Sequence, residues 1–167
     1  LHDRKVIMVN TTGNTIGNVN VRLSCHDIKG RTIRRQEAKG LTMTANSKTE
    51  VFTADTDGIE GVYLVRIRMT DNKGRLISEN DYLMRGKGTE DFKALGSVAQ
   101  AKLKAKVLRP SENGSRRIEM SNCSPHTAYN LKMNLVDRES GEIILPAYFS
   151  DGYFHLLPGE KKIVEFT

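Results

Sequence analysis

The feature that most constrains this fold is a strand that alternates apolar and polar residues and then reaches an Asp. The pattern occurs at residues 19–27, 63–71 and 129–137, and a glycine follows each Asp by three or four positions. Alternation with period two buries one face of a strand, and Val19, Tyr63 and Tyr129 begin the predicted inward rows. The Asp accepts hydrogen bonds from the turn backbone, and the glycine takes the position with positive φ. The three segments therefore predict β-hairpins.

Further strands are predicted by turn residues and apolar alternation, and no segment has a convincing helical pattern. They cover residues 5–10, 41–45, 49–54, 75–85, 100–108, 116–122, 142–145 and 161–166. Short strands separated by turn residues are typical of β-sandwiches. The sequence thus predicts an all-β chain of two tandem immunoglobulin-like β-sandwich modules. We place the first at 1–86, a Gly-rich charged linker at 87–97, and the second at 98–167.

The net charge of +6 invites a nucleic-acid interpretation. However, Lys102, Lys104 and Lys106 alternate with apolar residues that end at Val107, so we expect them on the solvent face of a half-buried strand. We therefore predict no nucleic-acid partner, and the chain has no apolar run long enough to predict membrane insertion. Because it opens at Leu1 on a strand-like segment, we expect a piece of a longer protein, which leaves the compartment open.

Residues that could carry chemistry are scattered. Cys25 and Cys123 are too far apart in sequence to predict a bridge, and Cys25 continues a buried row. The carboxylates lie in turns, and the histidines show no metal-ligand or triad spacing. Three Asn-x-Ser/Thr triplets, at Asn10, Asn113 and Asn122, are taken only as markers of surface. We predict no catalytic residue, no metal site and no cofactor.

The closing segment, residues 147–167, gathers four of the ten aromatic residues around the Asp151-Gly152 turn. One interpretation places Phe154, Leu156 and Leu157 in the end of a sandwich core, with Pro-Gly-Glu as the last turn. The other places Tyr148, Tyr153 and His155 on a rim that contacts carbohydrate. Clustered aromatic residues are more often core, so spacing alone favours the first interpretation.

The same segment, residues 148–160, resembles the closing sandwich of β-mannosidase-like enzymes in family two of the glycoside hydrolases. Those enzymes often end in an Asp/Asn-aromatic-Phe-(Asp)-Leu-Leu-Pro-Gly-Glu sequence. Gly152 and His155 stand here where the family often has Asn and Asp. Residues 61–68 and 78–82 resemble the preceding immunoglobulin-like module.

The resemblance implies the non-catalytic C-terminal region of a retaining glycoside hydrolase that cleaves terminal β-mannosidic or related β-glycosidic bonds. The two catalytic glutamates would lie in a (β/α)8 barrel. That barrel, in the same polypeptide, is the implied partner. Full-length enzymes of this family that degrade glycans are often periplasmic or secreted. The alternative is an independent carbohydrate-binding or adhesion module that binds β-linked mannosides or glycans through Tyr148, Tyr153 and His155. An enzyme in its own right is not expected.

Overall fold

The computed structural model describes residues 3–167, and Leu1 and His2 lie outside the described residues. The chain divides into two compact units, the first ending at Gly96 and the second covering Ser97–Thr167. The predicted all-β class is confirmed, because the described residues form eleven strands and one short 3-10 helix, Lys93–Ser97. No helix among them is long and apolar enough to cross a membrane.

The first unit is a sandwich of a four-stranded and a two-stranded antiparallel sheet. Its strands are β1 Lys5–Asn10, β2 Ile16–Asp27, β3 Thr32–Met43, β4 Ser47–Thr53, β5 Val62–Thr70 and β6 Leu76–Arg85. The larger sheet has the order β3-β2-β5-β6, and the smaller pairs β1 with β4. Inward residues of β2 meet Val6 and Met8 of β1 in the core.

The strands of the second unit are β7 Leu103–Leu108, β8 Arg116–Asn122, β9 Ala128–Lys132, β10 Tyr153–Leu156 and β11 Lys161–Phe166. They form a three-stranded sheet of order β11-β8-β7 and a two-stranded ribbon of β10 and β9. The core is built around Ala128, Phe154, Leu156 and Val164. The predicted burial of Phe154 and Leu156 is thereby confirmed.

Two strand predictions were wrong. Residues 142–145 form no strand, because their pairing with the preceding segment is reduced to a bridge between Val136 and Ile143. The strand predicted at 41–45 was wrong only as a separate element, because residues 41–43 are the end of the long β3 and residues 44 and 45 lie outside it. The expected burial along β7 also fails at Val107, which is 79% exposed, although Leu103 at the other end of the strand packs on the core.

The Asp turns form as predicted. Asp71 Oδ1 accepts the backbone N–H groups of Lys73 and Arg75 at 2.9 and 2.8 Å, and its Oδ2 accepts Arg75 Nε at 2.6 Å. Gly74 has φ 78°. The Arg75 side chain and the backbone donors lower the pKa of Asp71. Asp27 repeats these contacts with Lys29 and Arg31, and Asp137 accepts the N–H groups of Glu139 and Ser140.

Asn10 and Asn122, predicted to mark surface, are buried instead. Each ends a strand and lies in a triplet whose third residue, Thr12 or Ser124, donates both its N–H and its hydroxyl to the Asn Oδ1. Asn122 Nδ2 donates to the carbonyls of His126 and Leu156 at 2.7 and 2.9 Å. Asn10 Nδ2 makes the matching contacts to Asn14, Met43 and Thr44. The triplets are therefore structural anchors, which we call the asparagine anchors.

The anchors show that β1–β4 and β8–β11 are the same four-strand arrangement. In each, the first strand pairs with the fourth and the second with the third. A β-bulge occurs at the same place in the second strand, where Asn18 and Asn130 have φ 55° and 50°. On either side of it Ile16 and Val19 pair with β3 as Ala128 and Leu131 pair with β10.

Candidate functional site

The last ribbon places Tyr153 and His155 on one face of β10 and Phe154 and Leu156 on the other. Tyr153 is 69% exposed, whereas Phe154 and Leu156 are buried. The Nζ of Lys132, the residue opposite on β9, lies 5.8 Å from the centre of the Tyr153 ring. This face presents an aromatic ring to solvent beside a cation, an arrangement that carbohydrate-binding surfaces share with many ordinary strand faces.

His155 is held by the bulge in β9. Its Nδ1 accepts the backbone N–H of Asn130 at 3.1 Å. Its ring meets the ring of Tyr129 edge-on, with the centres 5.6 Å apart. The alternation predicted Tyr129 as an inward residue, and this was wrong because the bulge shifts the register and Ala128 takes the inward position. We call Tyr129, Lys132, Tyr153 and His155 the ribbon face.

Tyr148 belongs to another part of the second unit. It is 71% exposed, and its backbone pairs with Thr167 through hydrogen bonds of 3.0 and 3.1 Å. The next residue, Phe149, stacks on Phe166 with the ring centres 5.7 Å apart. The structure therefore brings Tyr153 and His155 to one face and holds Tyr148 against the end of β11.

The turn that leads into β10 is fixed by charge. Lys162 Nζ lies 2.7 Å from Asp151 Oδ2 and 5.3 Å from the centre of the buried Phe154 ring. The Tyr153 N–H donates to Asp151 Oδ1 at 3.3 Å. Asp151 thus orients the start of the ribbon face. The sequence did not predict this ion pair, nor that Tyr129 and Lys132 belong to the ribbon face, because both depend on which strands pair.

Three of the turn carboxylates, which an acid mechanism would have to use, are engaged in ion pairs or hydrogen bonds of the fold. Asp55 pairs with Arg34 at 2.9 Å, Asp57 pairs with Arg4, and Asp137 caps its turn. Within residues 3–167 no group of three or more His, Cys, Asp and Glu side chains could hold a metal ion. The predicted burial of Cys25 is confirmed, and burial raises the pKa of its thiol to about 11. Cys123 is exposed, and neither cysteine forms a disulfide.

Two family models match the chain in tandem. Residues 2–85 match the model described as mannosidase Ig/CBM-like domain, and residues 81–167 match the model described as exo-beta-D-glucosaminidase Ig-fold domain.

Curated and solved proteins agree with these models. The exo-beta-D-glucosaminidase of Arthroderma benhamiae is 22% identical over 95% of this chain and 20% of its own length. That of Streptomyces avermitilis is 23% identical over 99% of this chain and 21% of its own length. The crystal structure of the exo-chitosanase of Amycolatopsis orientalis matches with a TM-score of 0.82, at 21% identity, over 98% of this chain and 22% of that one. The chain thus spans about a fifth of the length of these relatives.

Proposed function

Because the chain belongs to the exo-beta-D-glucosaminidase Ig-fold family over residues 81–167 and to the mannosidase Ig/CBM-like family over residues 2–85, we propose that it is a non-catalytic accessory region of an exo-acting β-glycoside hydrolase. The observation that carries the proposal is the tandem order of the two family matches. Catalysis would lie in the remaining four-fifths of a polypeptide as long as the relatives.

The role proposed for the two units is to pack on a (β/α)8 catalytic barrel and support it. The engagement of Asp55, Asp57 and Asp137 in ion pairs and turns supports a structural role for this part, since an acid/base pair needs two carboxyl groups facing one substrate bond. Asp55, for example, is paired with Arg34 rather than with a second acid.

For the activity of the longer protein we favour hydrolysis of terminal β-D-glucosaminides. Both curated relatives carry the name exo-beta-D-glucosaminidase, and they match nearly the whole chain. Terminal β-mannosides are the second candidate, because the model that matches residues 2–85 is described as a mannosidase domain.

The test compares three purified proteins: the full polypeptide, the 167-residue chain, and the polypeptide without these residues. Each is assayed with p-nitrophenyl β-D-glucosaminide and with p-nitrophenyl β-D-mannoside. We expect the full polypeptide to cleave the glucosaminide, the chain alone to cleave neither, and the truncated protein to lose thermal stability and activity together. Cleavage by the chain alone, or a truncated protein of unchanged stability, would contradict the proposal.

The alternative, an independent carbohydrate-binding module, is favoured by the exposure of Tyr153 beside Lys132. It is tested by calorimetric titration of the chain with glucosamine oligosaccharides and with mannobiose. Saturable binding that is lost in Tyr153→Ala or Tyr148→Ala, and kept in the control Tyr82→Ala in the first unit, would establish this function in place of a purely structural one. His155→Ala then separates sugar contact from ring positioning, because His155 also receives the Asn130 N–H.

A further inference from the structure

The two units share four strands, yet the second strand of that arrangement has different neighbours in each. In the first unit β2 lies between β3 and β5, and its pairing with β5 extends from Asn20 opposite Thr70 to Asp27 opposite Tyr63. In the second unit the equivalent strand, β9, pairs with β10, and no other strand of residues 3–167 lies along its second edge. That edge corresponds to the one that β5 occupies on β2.

The inward side chains of β2 are also more deeply buried than the equivalent side chains of the second unit. Val19, Val21 and Leu23 point inward from β2 and are 0%, 2% and 0% exposed. The bulge and the cross-strand pairs make Leu131 the equivalent of Val19. Leu131 and Met133, which pack against the core, and Leu135, the next residue of the same alternation beyond the end of β9, are all only partly buried. The same row of apolar side chains is thus fully covered where β5 is present and incompletely covered where its equivalent is missing.

The opposing sheet of the second unit gives an independent sign of a missing layer. Val107, Ile118 and Val164 form one row across β7, β8 and β11. Val164 is fully buried, Ile118 is partly buried, and Val107 is 79% exposed. A β-branched residue is placed on the inward side of a sheet for packing, so the inner face extends beyond what the ribbon covers.

We propose that the free edge of β9 binds an additional antiparallel strand with alternating apolar residues, as β5 binds β2. The donor is a further segment of the same polypeptide, from the part of the relatives' length that these 167 residues do not match. Backbone hydrogen bonds along the edge would supply affinity, and alternate apolar side chains would cover Leu131, Met133 and Leu135. The inference rests on the proposed function only in that it requires the longer polypeptide.

The experiment measures backbone amide hydrogen exchange by mass spectrometry in the 167-residue chain and in the full polypeptide. Peptides that cover residues 129–135 should exchange at least about tenfold more slowly in the full polypeptide, whereas β2 peptides covering residues 19–25 should be equally protected in both. Equal exchange at 129–135 in the two proteins would overturn the proposal. If residues 129–135 are protected in the 167-residue chain alone, if that protection increases with protein concentration, and if sedimentation shows a dimer, the occupant is a second copy. That result would overturn the donor we name.

A paired variant sharpens the result. Leu135→Lys places a charge on the row to be covered, and Glu139→Lys places the same charge in the exposed turn beyond it. We expect Leu135→Lys to speed exchange at 129–135 in the full polypeptide, and Glu139→Lys to leave it unchanged. Equal effects of the two variants would contradict strand addition. The exchange readout is independent of hydrolysis: a full polypeptide that cleaves neither glycoside but protects β9 would refute the proposed activity and support the added strand.

Discussion

Replacing Asn122 with alanine should destabilise the second unit far more than the same replacement at Asn113, the exposed asparagine of another Asn-x-Ser/Thr triplet in that unit. The Asn122 side chain is 2% exposed. Its removal leaves the buried carbonyl of Leu156 and the buried N–H of Ser124 without their side-chain partner. Each such loss costs about 1–3 kcal/mol, so we expect roughly 3 kcal/mol in the free energy of unfolding. Groups nearer to water, such as the His126 carbonyl, recover part of their loss through hydration.

The assay is urea unfolding of the 167-residue chain, followed by far-UV circular dichroism and tyrosine fluorescence. The matched control is Asn113→Ala, because Asn113 is the exposed member of the same triplet class and accepts the Ser115 N–H at 3.1 Å. Its loss should stay below about 1 kcal/mol. A loss for Asn122→Ala no larger than for Asn113→Ala would refute the reasoning. Asn122→Asp has nearly the same volume, so its destabilisation would exclude a cavity as the cause and assign the loss to the missing amide donors and to a carboxylate facing buried carbonyls.

Three further predictions concern other contacts of the fold. Asp81→Ala should lower the free energy of unfolding in urea by about 3 kcal/mol, because Asp81 is the bidentate partner, at 2.7 Å, of an Arg66 side chain that is 3% exposed. Recovery of stability in an Arg66→Met, Asp81→Leu double variant would support this origin. A loss below about 1 kcal/mol would contradict it. A thiol reagent at pH 8 should modify the exposed Cys123 and spare Cys25 until urea is added, because Cys25 is buried and burial raises the pKa of its thiol. A second rapidly reacting thiol in the native chain would contradict the closed core. The pKa of Asp71 is lowered in the folded chain, so the charged Asp71 stabilises the fold at a pH above its ordinary pKa of 3.8, and this stabilisation is lost as the pH falls below that value. Asp71→Asn should therefore weaken the dependence of the urea midpoint on acid pH. An unchanged dependence would count against the turn contacts.

The sequence predicted what local chemistry determines. Alternation located the strands, and an Asp followed by glycine located the turns, because both effects act within a few residues. The bulge at Asn130 was missed because it requires a positive φ that the residue tolerates but does not demand. Tyr129 was consequently assigned to the wrong face, and its contact with His155 could not be anticipated.

The errors at Asn10 and Asn122 have a different origin. A short polar triplet is ordinarily a surface feature, and nothing local distinguishes these two from the exposed Asn113. Their burial depends on carbonyl groups at the end of β3 or β10, more than thirty residues away in sequence. Only the closure of the sandwich brings donor and acceptors together. The repeated anchor is nevertheless visible in retrospect, as an Asn that ends a strand in each unit.

The lysines along β7 give the excess positive charge a physical role. β7 is an edge strand of the second unit, and Lys104 and Lys106 are exposed on it. A chain that approached this edge would have to strip water from ammonium groups, which is a common natural safeguard against strand-to-strand polymerisation. The net charge of +6 therefore also acts as a colloidal barrier. Replacing Lys104 and Lys106 with uncharged residues should therefore favour self-association through the β7 edge at high protein concentration.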